Sequence, residues 1–330
     1  MKAYSARFIK SQDKRLAFDN QLRPVLDSFH MKLSIIIPTR NRPAMLLETL
    51  ATIAPQLSDE VELIIMDASD IHPDEKVLNL KLPSTKYLRG KAANFDDAYD
   101  EAVSAASGEW VWLFSDDDWF KPGAVATVMR HLNEGIDIII VNAEVRDQRM
   151  EQVLKPRWVV MPSRDYATSD FDQLFADLGD LGTFLGSMLI RRTIWAERLK
   201  EAEPYRGKRF LTFVIPFLRP TRARFLQEVL VAARFGHQGW IGTSAQLVGE
   251  IMTEVVWSLP VADWAKARVR PRRASLGELL LWRAIGCDVS AHSRLVAQVP
   301  RYAAKAAIKL GLRLTGRSGG LSDYMLSLCR

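Results

Sequence analysis

An apolar run that stops abruptly at three carboxylates places the strongest constraint on how this chain can fold. Gly108-Glu109-Trp110-Val111-Trp112-Leu113-Phe114 is followed by Ser115-Asp116-Asp117-Asp118 and then by Trp119-Phe120-Lys121-Pro122. The first segment suits a strand buried on both faces. Three adjacent carboxylates at its end repel one another unless a cation or a cationic ligand offsets their charge. Residues two apart in an extended segment point the same way, so Asp116 and Asp118 form a natural pair for a hard cation, Mg²⁺ or Mn²⁺, that carries a phosphorylated substrate. The competing reading is a solvated acidic turn capping a helix that starts near Pro122. It accounts for one Asp more readily than for three.

The surrounding pattern places this segment in a sheet. A β-branched run over 33–37 is stopped by Pro38, followed by Thr39-Arg40-Asn41-Arg42-Pro43 and by helical periodicity over 44–53. A second apolar strand over 61–66 ends at Asp67-Ala68-Ser69-Asp70, helical periodicity resumes over 92–106 with Gly108 as its cap, and further strands are expected over 110–114 and 136–141. Short apolar strands alternating with helices predict the α/β class, with a doubly wound, mostly parallel sheet. In such sheets ligands bind beyond the carboxyl ends of the strands. Pro38-Thr39, Asp67 and Asp116–Asp118 each fall just past such an end, so three segments distant in sequence are expected to meet in one crevice. The pattern weakens between residues 151 and 180, which reads as an irregular segment on the acceptor side of that crevice.

Three further readings stay open at this level. Asp67 could accept hydrogen bonds from a nucleobase or ribose, or simply close an Asx turn on its own backbone. Lys91 and Asn94 open a helix, and helix N-termini favour anions, although a surface Lys is usually just solvated. Arg234 could pair with a phosphate or form a helix-surface salt bridge.

With these segments in place, the chain resembles the family 2 glycosyltransferases. The match is carried by Ser34-Ile35-Ile36-Ile37-Pro38-Thr39-Arg40-Asn41-Arg42, by Asp67-Ala68-Ser69, and by the run from Gly108 to Asp118 with Pro122 four residues on. Asn94-Phe95, Gly186-Ser187-Met188-Leu189-Ile190-Arg191-Arg192 and Arg234-Phe235-Gly236-His237-Gln238-Gly239-Trp240 look most like the abequosyltransferase-type branch that builds bacterial surface polysaccharides. The resemblance implies a GT-A fold, a nucleotide-diphosphate sugar donor and inversion at the transferred sugar. It implies a nucleoside held by Pro38, Thr39 and Asp67, a role for Asp116 at ribose or metal, and Asp118 as metal ligand. Arg40, Asn41, Ser69, Lys91, Asn94, Asp117 and Arg234 complete the candidate donor-binding set. An inverting reaction needs a carboxylate to deprotonate the acceptor hydroxyl. Family members usually carry a Glu-Asp pair some twenty residues past the Arg-Arg segment, where this chain has Phe210-Leu211-Thr212-Phe213-Val214-Ile215-Pro216. Asp180 is the first candidate base, with Glu203 and His237 as alternatives.

Residues 1–30 are expected to be an accessory extension. The GT-A domain should occupy 31–258, divided into a nucleotide-sugar-binding half at 31–145 and an acceptor half at 146–258, with a basic helical region at 259–330. Charge supports the last boundary. Residues 260–330 hold 13 Lys or Arg against 4 Asp or Glu, or +9, whereas the whole chain carries only +6. Arg301, Lys305, Lys309 and Arg313 recur at every fourth position, beside Tyr302, Ile308, Leu310 and Leu312. Such a stripe suits an anionic membrane surface, the alternative being a solvated helix face packed on the domain. No nucleic-acid recognition motif appears, so nucleic acid is not expected as a partner.

With 48% hydrophobic and 25% charged residues, disordered and fibrous classes drop out. Two cysteines imply no disulfide framework. No apolar stretch of about 20 residues is present, so the expectation is a cytoplasmic protein held peripherally at the inner face of the cell membrane, acting on a glycan or lipid-linked saccharide. Two rival classes compete with this reading. A sugar nucleotidyltransferase would want a Gly-rich phosphate loop after the first strand, which Pro38–Pro43 lacks; a non-catalytic, membrane-recruited GT-A-like module would explain the absent Glu-Asp pair.

Overall fold

The computed structural model describes residues 31–70, 82–90, 94–132, 135–207, 211–235, 252–270, 276–285 and 294–314. The expected extension 1–30, Lys91 and the segment 236–240 containing His237 lie outside these residues. Four strands, β1 (Leu33–Thr39), β2 (Val61–Asp67), β3 (Thr85–Arg89) and β4 (Trp110–Leu113), pair in parallel in the order β3-β2-β1-β4. β1, β2 and β4 are buried along their whole lengths, which is why they read as unbroken apolar runs rather than alternating ones. Helix α1 (Pro43–Ile53) begins with Pro at its first position, where the missing N–H matters least. Helix α2 (Phe95–Ala105) is capped by Asn94, whose side chain accepts the Asp97 N–H at 3.0 Å, and packs on β1 and β2.

Beyond β4 come the short β5 (Trp119–Phe120), helix α3 (Ala124–Met129), β6 (Ile138–Arg146), β7 (Val153–Lys155), β8 (Arg164–Tyr166), helix α4 (Phe171–Gly182) and β9 (Met188–Arg191). Helices α5 (Arg192–Ala202) and α6 (Leu211–Val214) lead to the long β10 (Ala223–Arg234). The sheet continues as β4-β9-β6-β10-β5, with β9 antiparallel to both neighbours, β6 and β10 parallel, and β7 and β8 on the flanks. The result is an α/β sheet whose long strands are mostly parallel, as the alternating pattern predicted.

Three local expectations are corrected. The stretch 151–180 is not irregular in its second half: Phe171, Leu174, Phe175, Leu178 and Leu181 form the buried face of α4, a helical spacing hidden by the loop before it. Gly108 does not cap α2, which ends at Ala105. It sits where β1 approaches so closely that a Cβ would lie 2.5 Å from Ser34 Oγ and 2.8 Å from the Leu33 carbonyl carbon. β3 was not foreseen, because its residues are at most partly buried and Thr85-Lys86-Tyr87-Leu88-Arg89 is not a continuous apolar run.

Helices α7 (Met252–Ser258) and α8 (Asp263–Val269) follow, and Leu259, Val261 and Ala265 join the main core. α8 lies against α4, with Ala262 N–H donating to Asp172 Oδ1 at 2.8 Å. Helices α9 (Leu276–Ile285), α10 (Arg294–Gln298) and α11 (Arg301–Leu314) come next, and α9, α11 and Val299 between α10 and α11 share a second, small apolar cluster around Ala284 and Ala304. Ile308 packs into that cluster instead of adding to the outer surface of α11. Among the described residues no helix is long and apolar enough to cross a membrane.

Candidate functional site

The parallel strands end level with one another, and that brings the three predicted segments together. Thr39 and Asp67 are register partners at the last positions of β1 and β2, and Ala68 N–H donates to the Thr39 carbonyl at 2.9 Å. On the other side of β1, Thr39 Oγ1 donates to Asp116 Oδ2 at 2.7 Å. One residue at the tip of β1 thus links the end of β2, through its carbonyl, to the end of β4, through its hydroxyl.

The acidic triplet is sealed rather than solvated. Asp116 and Asp118 are buried, at 0% and 5% exposure. The segment is not extended, as the sequence suggested, but turns at Asp116-Asp117. The two outer carboxylates therefore meet different elements. Asp116 faces Thr39 and Arg42, whereas Asp118 Oδ1 accepts the backbone N–H of Arg234, at the end of β10, at 2.8 Å. Helix α1 holds the turn from behind through Thr49 Oγ1, which donates to the Asp118 carbonyl at 2.8 Å, and through Thr52 Oγ1, which accepts Phe120 N–H at 3.1 Å. Burial pushes the Asp116 carboxyl up to about 7, and the charge of Asp117 acts in the same direction against Arg42 and Thr39. Asp118 is raised well above the usual carboxylate range, again by burial first and by Asp117 second. The solvated-turn reading is overturned, since the two outer carboxylates are buried.

Asp67 is buried too, yet its surroundings act the opposite way. Oδ1 accepts Ser69 N–H at 2.7 Å, and Oδ2 accepts from Tyr87 Oη and from Arg89 at 3.1 Å. Burial alone would raise it, but bonds from Ser69 and Tyr87 and the charge of Arg89 hold it below the usual range. The Asx turn is real, and it coexists with two β3 side chains. The next loop is laced to this one: Asn41, at φ 57°, donates from its backbone to Ser69 Oγ at 2.8 Å and from its side chain to Asp70 at 2.7 Å, while Arg40 pairs with Asp70 at 2.9 Å. Pro38, Thr39, Arg40, Asn41, Asp67 and Ser69 therefore form one rim.

The remaining candidates fall in different places. Asn94 caps α2, and one turn on, the buried Tyr99 donates to the Phe114 carbonyl at 2.6 Å, beneath the triplet. Arg234 is at a strand end, not on a helix surface. Its Nε donates to the Asp117 carbonyl at 2.7 Å, one terminal nitrogen to the Gln148 carbonyl at 2.8 Å and the other to Glu48 at 2.6 Å. In this conformation it is a bracket around the turn rather than an open phosphate hook. Asp180 is exposed at the end of α4 and accepts the Trp158 indole N–H at 2.8 Å, with Trp158 stacked on Phe184. The turn that follows lies against β4, since Trp112 Nε1 donates to the Gly186 carbonyl at 2.9 Å and a Cβ on Gly186 would meet Phe114 at 2.9 Å. Glu203 is engaged by Arg206 at 2.9 Å, which also binds Asp97 at 2.8 Å.

Sequence reasoning passed over Arg42, Tyr87 and Arg89. The last two sit two apart on β3 and so share a face, a signal visible once 85–89 is read as a strand. Arg42 had no such signal, because its partners lie more than seventy residues away.

The residues fit a hard divalent ion. Asp116 Oδ1 is buried without an aligned hydrogen-bond partner, and buried, charge-crowded carboxylates are the donor type such ions prefer. Among the described residues no group of three or more His, Cys, Asp or Glu could cage a metal. A Mg²⁺ or Mn²⁺ site completed by substrate phosphates and water needs only one or two protein carboxylates.

Comparisons with known proteins bear on the family and the fold. The family model "Glycosyl transferase family 2" matches residues 34–199, about half of the chain. A GalNAc(5)-diNAcBac-PP-undecaprenol beta-1,3-glucosyltransferase of Campylobacter jejuni is 29% identical over 126 residues, 36% of this chain and 40% of that one. The abequosyltransferase RfbV of Salmonella typhimurium is 22% identical over 180 residues, 50% of this chain and 54% of that one. The chain thus spans about half or less of the length of these curated relatives. Among solved structures, TarS of S. aureus superposes with a TM-score of 0.52 at 13% identity over 90% of each chain, and a TarS structure in complex with UDP-GlcNAc does so at 0.51 and 15%. At that identity the likeness shows the fold, the GT-A type.

Proposed function

Because this chain belongs to glycosyl transferase family 2, we propose that it moves one sugar from a nucleotide-diphosphate donor, with inversion, to a hydroxyl of a lipid-linked glycan in bacterial cell-surface polysaccharide synthesis. One observation carries the reading: Asp116 and Asp118 are sealed at the carboxyl edge of the sheet, with Asp116 hydrogen-bonded to Thr39 of the neighbouring strand. The names of the relatives support the substrate class, one being named for an undecaprenol-linked glycan and one as an abequosyltransferase. The TarS complex with UDP-GlcNAc supports a nucleotide sugar on this fold.

In this reading the rim of Pro38, Thr39, Arg40, Asn41, Asp67 and Ser69 receives the nucleoside, and Asp116 and Asp118 hold Mg²⁺ or Mn²⁺. When bound, the ion supplies Lewis-acid neutralisation of the departing nucleoside diphosphate. The acceptor oxygen attacks the anomeric carbon opposite the leaving group; the C–O bond to the diphosphate breaks, and the acceptor proton passes to a carboxylate. We assign that carboxylate to Asp180, which is exposed, oriented by the Trp158 indole and next to the turn that abuts Phe114.

The same reading places the protein at an anionic membrane through α11. Residues 294–314 contain no Asp or Glu, Tyr302 and Leu310 of α11 are 76% and 58% exposed, and Lys309 lies on the same exposed surface. Changing Lys305 and Lys309 together to Glu should release the protein from phosphatidylglycerol-containing vesicles at moderate salt. Unchanged partitioning ends the membrane assignment.

The function is tested by thermal shift with UDP, GDP, CDP and TDP, each with and without Mn²⁺, followed by transfer assays with the matching nucleotide sugars. A metal-dependent rise in Tm for one nucleotide is expected, by mass action, and should vanish in Asp118→Asn. Asp180→Asn should leave that rise intact and slow transfer. No shift and no turnover with any donor would remove the proposal.

A further inference from the structure

We propose that Arg42 is an exchangeable counter-ion of the acidic triplet, a positioning residue that holds Asp116 and Asp117 until a divalent cation takes its place. The inference rests on the metal-binding reading above. Arg42 places one terminal nitrogen 2.6 Å from Asp116 Oδ1 and the other 3.1 Å from Asp117 Oδ2. Its side chain is 36% exposed, whereas that of Asp116 is 0% exposed. In this arrangement no ion from solvent can touch Asp116, so a covering group has to move first.

The covering groups differ in how easily they move. Thr39 belongs to β1, which is buried along its whole length, and shifting it would disturb the sheet. Arg42 stands where the chain leaves β1 for α1. Its carbonyl is fixed by Leu46 N–H at 3.1 Å, but its long side chain can swing without moving the backbone. The Arg42 contact with Asp116 Oδ1 is one of charge alone, because that oxygen has no aligned hydrogen bond.

Arg234 provides the contrast. Its side chain is 6% exposed and donates to two carbonyls and a carboxylate, so it is anchored. Of the two arginines that touch the triplet among the described residues, one is a fixture and one is a removable cover. Charge favours the exchange, since a divalent ion offsets the crowded carboxylates better than one guanidinium does.

The apparent affinity of a ligand falls by the fraction of molecules that are competent to bind it. If Arg42 covers Asp116 in about nine molecules of ten, its removal should tighten Mn²⁺ binding about tenfold. The experiment titrates Mn²⁺ alone, read from the paramagnetic resonance of the free ion, into the full chain and into Arg42→Gln, Arg42→Lys, Asp116→Asn and the Arg42→Gln/Asp116→Asn double variant. Tighter binding by Arg42→Gln, a gain erased by Asp116→Asn, and a larger Mn²⁺-induced rise in Tm than in the parent are expected. Lys keeps the charge but cannot bridge both carboxylates, so Arg42→Lys should fall between; it carries the test if Arg42→Gln does not fold. Equal or weaker binding by the Arg42 variants, with Asp116→Asn still abolishing the parent's binding, overturns the exchange and leaves the metal site standing. Binding that is absent throughout, or indifferent to Asp116→Asn, overturns both.

Discussion

Asp67 and Asp116 occupy equivalent places, each a buried carboxylate at the carboxyl end of a parallel strand and each touching or adjoining Thr39, yet their surroundings make them opposites. Asp67 is ringed by donors from Ser69, Tyr87 and Arg89, and its carboxyl is held low. Asp116 shares a turn with two further carboxylates, leaves one oxygen without an aligned hydrogen bond, and is pushed up to about 7. The difference teaches which of two buried acids organises the scaffold and which waits for a cation. A carboxylate fully met by donors contributes to stability as it stands, whereas one crowded by like charge becomes favourable only when something positive arrives.

The comparison can be broken by substitution. The largest effect is expected at the triplet: Asp118→Asn should lower transfer by about a thousandfold or more, through loss of an ion that stabilises the leaving group, while leaving Tm unchanged or higher because like-charge repulsion is relieved. Assays of turnover and unfolding on one preparation check both halves. Next in size is Asp67→Asn, which leaves Arg89 and Tyr87 poorly matched and should cost about 1–3 kcal/mol of stability, measured by urea unfolding. A drop in Tm at Asp118→Asn as large as that at Asp67→Asn would erase the distinction.

The smallest effect sharpens it, and its sign differs at the two acids. A carboxyl raised in the fold binds its proton more tightly than in the unfolded chain. The stability contributed by Asp116 is therefore full below about pH 4 and declines as pH rises toward 7. For Asp67, lowered in the fold, the contribution is present above the ordinary value of 3.8 and is lost as pH falls through the folded value. Urea midpoints for the parent and for Asp116→Asn should therefore diverge between about pH 4 and 7, and those for Asp67→Asn should converge with the parent below pH 4. Parallel curves would show that the two sites do not differ in this way.

Much of the parallel half was legible in the chain. Strands buried on both faces, such as 33–39 and 61–67, are continuous apolar runs, and the residues that end them must lie at one edge because parallel strands end together. That was enough to bring Thr39, Asp67 and Asp116 to one place. The second half was harder to read. Helix α4 was obscured by a preceding loop whose residues pack on the core without periodicity, and β9, antiparallel between two parallel groups, has no local signature that fixes its neighbours. Arg234 reads in sequence as a phosphate partner or a helix-surface salt bridge and proves to be the bracket of the triplet, because β10 pairs with β5, the strand that directly follows the triplet.

The sequence by itself determined the strand ends, the concentration of acid at one of them and the helix starts at Pro43 and Asn94, since each depends on residues a few positions apart. Only the tertiary structure decided that Asp67 is satisfied while Asp116 is not. The donors Tyr87 and Arg89 reach Asp67 across a strand pairing, the charge of Arg42 reaches Asp116 across a turn, and the protonation of a buried carboxyl depends on every charge and dipole within a few ångströms of it, whatever its distance along the chain.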